Sequence, residues 1–62
     1  EIYQSAAVMI RQFGPDAATQ AADRARSMSE RTNREGQLIW ERIGRAVQEL
    51  QRVQRSADEV IQ

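Results

Sequence analysis

The sequence predicts an all-α protein, a short helix followed by a long antiparallel helical hairpin, in an uneven three-helix arrangement. Three observations predict it. Apolar residues recur at alternating spacings of three and four over long stretches, the period of a helix with one buried face. Two clusters of turn-forming residues, Gly14-Pro15-Asp16 and Thr32-Asn33-Arg34-Glu35-Gly36, divide the chain into segments of unequal length. The last and longest segment carries a heptad seam without a slip. Sixty-two residues make one small domain, so residues 1–62 are read as a single unit.

Helix A is expected from about Ile2 to Phe13. Ile2, Ala6, Met9 and Phe13 follow one another at four, three and four, and Tyr3, Ala7 and Ile10 widen the stripe. So few polar positions remain that the helix is expected to be buried. Gly14 suits the left-handed residue that ends a helix, Pro15 the first turn of the next, and Asp16 its N-terminal dipole.

Helix B is expected over about 15–32. Ala18, Ala21, Ala25, Met28 and Thr32 form its inner face, with Ala22 and Ser29 alongside. Residues this small allow a neighbouring helix to approach closely. Arg26–Glu30 and Glu30–Arg34 stand at pairing distance on the polar face. In the second break, Asn33 is expected to take the left-handed conformation and Gly36 to relax the backbone.

Helix C is expected over about 35–61. Its seam is Ile39, Ile43, Ala46, Leu50, Val53, Ala57 and Val60, with Trp40, Val47 and Ile61 beside it. Glu41–Arg45 and Glu49–Arg52 decorate the outer face. At 1.5 Å per residue helix C reaches about 40 Å and helix B about 27 Å. In an antiparallel hairpin the last turns of helix C therefore run past the start of helix B. Helix A is expected to fold back near that overhang; an open hairpin completed by a partner is the alternative.

Composition narrows the chemistry. There is no Cys and no His, which excludes disulfides, thiolate metal sites and the usual general base near neutral pH. Nine basic residues, all Arg, balance nine acidic ones, so no basic excess points to nucleic acid. The longest apolar run, Ala6 to Ile10, falls far short of the ~20 residues a membrane span needs. No basic leader with a long apolar stretch is present, and a cytoplasmic location is expected. The chain opens on Glu1 rather than Met, which leaves open whether residues precede it.

No constellation supports catalysis. Tyr3 sits on an amphipathic stretch and reads as a core or interface residue. Ser27 and Ser29 have no histidine to activate them. Asp58 and Glu59 are adjacent, so a helix points their carboxylates about 100° apart, which suits a solvated end rather than an acid–base pair. Neither Gly14-Pro15 nor Glu35-Gly36 follows a strand or carries a lysine, so no phosphate loop is formed. Arg42, Arg45, Arg52 and Arg55 are interleaved with Glu41, Glu49 and Glu59, a mixed solvated face. Gly44, inside helix C, is expected either to be neutral or to admit another backbone. No catalytic residue, cofactor or metal site is expected.

Three stretches carry a resemblance. They are Ile10-Arg11-Gln12-Phe13-Gly14-Pro15-Asp16-Ala17, then Ala22-Asp23-Arg24-Ala25, then Glu35 to Ile43 running into Ala46-Val47-Gln48-Glu49-Leu50. Together they span about two-thirds of the chain, which resembles small helical alphaproteobacterial proteins classed as domains of unknown function. The resemblance implies a bacterial, helical, non-enzymatic protein and transfers no functional residue. Those relatives often have Gly-Asp where this chain has Thr32-Asn33.

The leading expectation is a small interaction or accessory subunit that docks apolar helix faces onto a larger assembly or a second copy of itself. The candidate partner-binding residues are Ile2, Tyr3, Met9, Phe13, Trp40, Leu50, Val53, Val60 and Ile61. Trp40 is expected either to seal the hairpin over Ala25 or Met28 or to anchor a partner. One alternative is a nucleic-acid-binding regulator built on the helix B–turn–helix C hairpin. The other is a protein held at a membrane surface by helix A, through Ile2, Tyr3, Val8, Met9, Ile10 and Phe13, against which the lack of a basic polar face argues.

Overall fold

The structure, a computed structural model, describes the backbone of residues 1–61 and the side chains of residues 1–53. It is 92% helical, and no strand occurs among the described residues. Helix α1 spans Ile2–Phe13, a 3-10 turn spans Gly14–Asp16, α2 spans Ala17–Glu30 and α3 spans Arg34–Ile61. The all-α expectation holds, and the three helix boundaries fall within two residues of those expected.

The expectation of a three-helix arrangement is corrected. Helical structure is interrupted only once between Ile2 and Ile61, at Arg31–Asn33. Residues 2–30 form one continuous helical arm with a change of pitch in its middle, and α3 forms the other. The physical reason is Pro15. Its fixed φ and missing N–H are tolerated in a first helical turn, so the residues after Gly14 enter a 3-10 turn directly instead of a loop.

That arm is bent. Gly14 has φ 57° and ψ −126°, a region open essentially to glycine, and its N–H still closes onto the Ile10 carbonyl. Both ends of α1 then meet α3 within one turn of each other. Gln51 donates to the Gly14 carbonyl at 3.0 Å, and Tyr3 donates to Glu49 Oε1 at 3.0 Å. An α1 in line with α2 would carry Tyr3 about 16 Å further along α3. Instead α1 is turned across the hairpin, against both α2 and α3.

The core sits where the elements meet: Ala6 and Met9 from α1, Ala17 and Ala21 from α2, and Ile43, Ala46 and Val47 from α3. Alanines at the crossings let the backbones approach, and Val47 is the only large side chain with almost no exposure among the described residues. Ile2, Ile10, Phe13, Ala18, Trp40 and Leu50 pack around it, half-buried.

Two expectations about faces are corrected here. The buried face of α3 is Ile43, Ala46 and Val47, with Trp40 and Leu50 half-buried beside them; it keeps Ile43, Ala46 and Leu50 of the expected seam but not Ile39, 49% exposed, or Val53, 61% exposed. A coiled-coil seam faces one neighbour, whereas α3 faces two, and its most buried position moves to Val47 between them. Helix α1 is not buried all round either. Ala6 and Met9 point inward, but Tyr3 and Val8 are exposed, because a 12-residue helix laid across two others has only one side to cover.

The hairpin turn is also built differently from the expectation. Thr32, not Asn33, takes the positive φ, at 59°. The Thr32 N–H bonds to the Ser29 carbonyl and the Asn33 N–H to the Met28 carbonyl, a Schellman closure of α2. Asn33 is thereby free to cap α3, its Oδ1 accepting from the Gly36 N–H at 2.9 Å. Gly36 lies in the first turn of α3, where a Cβ would stand 3.0 Å from Met28 Sδ. A side chain there would need the ends of Met28 and Asn33 to give way by a few tenths of an ångström.

Candidate docking surface

The residues expected to bind a partner separate into three groups. Met9 is 5% exposed and belongs to the core, which corrects its place among surface contacts. It faces inward because α1 turns at Gly14 and brings the Ala6–Met9 side onto α2 and α3. Ile2, Phe13, Trp40 and Leu50 are half-buried against that core. Tyr3, at 52%, and Val53 are largely open. Val60 and Ile61 lie beyond the residues whose side chains are described, as does Ala57 of the expected seam.

Phe13 and Trp40 are engaged within the fold. The Arg24 guanidinium lies 5.1 Å from the Trp40 ring centroid and 5.8 Å from that of Phe13. A cation over both ring faces is favourable. Ala25 joins Trp40 in lining a groove between α2 and α3, in keeping with Trp40 closing the hairpin.

What remains open is a cleft between α1 and the second half of α3. Its walls are Ala7, Ile10 and Arg11 on one side and Leu50 and Val53 on the other. The sequence named Leu50 and Val53; it did not single out Ala7 or Arg11. The signal was present, since Tyr3, Ala7, Ile10 and Arg11 stand at i, i+4, i+7 and i+8 on one stripe. At the near end of that stripe, the hydrogen bond to Glu49 and the charge of its carboxylate hold the Tyr3 phenol above its ordinary pKa.

A second concavity, on the α2–α3 face, has a floor of Ala22, Ala25 and Gly44 beside Trp40. Gly44 lies close to α2, and a Cβ built on it would be 3.5 Å from that of Ala21, an ordinary contact. The ion pairs expected on the outer faces do not form among the described residues. The one pair among the described residues is Arg26–Asp23 at 4.0 Å, both ends exposed. Glu41 accepts from Gln37 instead, and Glu49 from Tyr3, because neutral donors on the same or a facing helix already stand within reach.

Among the described residues, no group of His, Cys, Asp or Glu is placed to hold a metal ion, and no helix is long and apolar enough to cross a membrane. Compared with protein-family models, curated proteins and solved structures, the chain matches none. The functional reading therefore rests on the surface alone.

Proposed function

We propose that this chain is a non-catalytic interaction subunit that docks an apolar face onto another polypeptide. The observation that supports the reading is the α1–α3 cleft, whose wall residue Val53 is 61% exposed within a run of apolar side chains. Tyr3 extends that run at one end. Burying such side chains is favourable by about 25 cal/mol for each Å² removed from water.

The reading predicts that a single charge in the cleft releases the chain from whatever it binds. Tagged wild-type and Val53→Asp forms would be compared by size-exclusion chromatography with light scattering, directly from extracts of the producing cells. The wild type should elute in a particle heavier than the monomer, and the variant as a monomer with unchanged helical circular dichroism. Identical elution of the two forms would remove the cleft as a docking surface.

A further inference from the structure

Building on the docking reading above, we infer that the occupant of the α1–α3 cleft is a second copy of this chain, related by a two-fold axis that sets Arg11 of each copy against Glu49 of the other. Charges of opposite sign flank the cleft: Arg11 is part of its lining, and Glu49 stands outside the lining, next in sequence to the lining residue Leu50. Tyr3 donates to Glu49 Oε1. Oε2 makes no hydrogen bond within the chain among the described residues. Arg11 lies eight residues beyond Tyr3 along α1, about 12 Å at 1.5 Å per residue. Between the two charges lie Ala7, Ile10, Leu50 and Val53.

A surface with a carboxylate and a guanidinium flanking apolar groups is its own complement under two-fold rotation. That is the requirement for an isologous interface, in which residue i meets residue j twice. A guanidinium and a carboxylate also form the strongest kind of hydrogen-bonded pair. Two further features agree. Nine positive charges against nine negative ones leave no long-range repulsion between copies. Among the described residues, five of the eight buried apolar ones are alanines, a small core of the kind that domains of this size often complete with another chain.

Sedimentation equilibrium on the purified full chain tests this, with circular dichroism on each sample. The wild type should be a dimer. Arg11→Glu and Glu49→Arg should each weaken it about tenfold or more by placing like charges together, and the double variant should return to within a few-fold of wild type. Both side chains are exposed, so helix content should hold; if a reversal lowers it, Arg11→Gln and Glu49→Gln replace the reversals, each with a several-fold loss. A wild type that stays monomeric, single variants that dimerise as wild type does, or a double variant that fails to recover would each overturn the inference. A monomeric wild type would leave the broader docking reading to stand or fall by the Val53→Asp comparison in extracts.

Discussion

Single residues with unusual backbone or bonding decide where this chain turns. Gly14 holds a φ of 57° with ψ −126°, and space exists for a Cβ there. Gly14→Ala would therefore meet no clash yet still be forced into a conformation that costs about 1–3 kcal/mol for a residue with a side chain. Urea denaturation should show that loss; an unchanged midpoint would mean that α1 does not depend on the bend. Tyr3 offers a cleaner test, as it is the only tyrosine. The hydrogen bond to Glu49, then the carboxylate's charge, raise its pKa. A raised pKa stabilises the fold while the phenol stays protonated, below about pH 10, and the contribution is lost as pH rises through the native value. Titration at 295 nm should give a higher midpoint in buffer than in urea, and Glu49→Ala should bring the two together.

At the scale of the helices, what each face touches matters more than its own periodicity. The sequence located the limits of the helical segments because apolar spacing and the two breaks are local properties, but it read the Gly14 break as separating two helices where one arm runs through it. It misread Ile39 and Val53 as part of the buried stripe of α3 and left Val47 beside it, because which side faces inward depends on having two neighbours rather than one. Gly44 shows the same division. Its place inside a helix was legible, and its meaning was not, until α2 brought Ala21 alongside. An added methyl there would meet that Cβ at 3.5 Å, an ordinary contact. Gly44→Ala should therefore recover about 1 kcal/mol of helix propensity. Thermal unfolding should show a rise of about 4–8 °C for a domain of this size. A fall would mean that the α2–α3 approach is tighter than this spacing allows.

For the whole molecule, the balance between a small core and an open cleft sets the behaviour. A chain whose cleft is closed by a second copy is stabilised by mass action, by about 2.7 kcal/mol when the free concentration is a hundred times Kd. The unfolding temperature of the wild type should therefore rise with protein concentration, and that of Val53→Asp should not. A wild-type transition independent of concentration would count against self-association.

The candidate surface was half legible. Leu50 and Val53 stood out because they lie on α3 beyond the reach of a shorter partner helix. Ala7 and Arg11 did not, since only the bend at Gly14 sets them opposite those residues. Met9 was misread because it stands on one helical stripe with Ile2 and Phe13, which stay only half-buried.

By itself, the sequence determined the helical content, the helix limits and the absence of Cys and His chemistry, all of which depend on residue type and near neighbours. Only the tertiary structure decided that Val47 is buried deepest while Ile39 and Val53 stay exposed, and that α1 crosses α3 to leave a cleft lined by Arg11 with Glu49 beside it. Those outcomes depend on contacts between residues far apart in the chain. Spacing along one helix carries no record of the angle at which another will cross it.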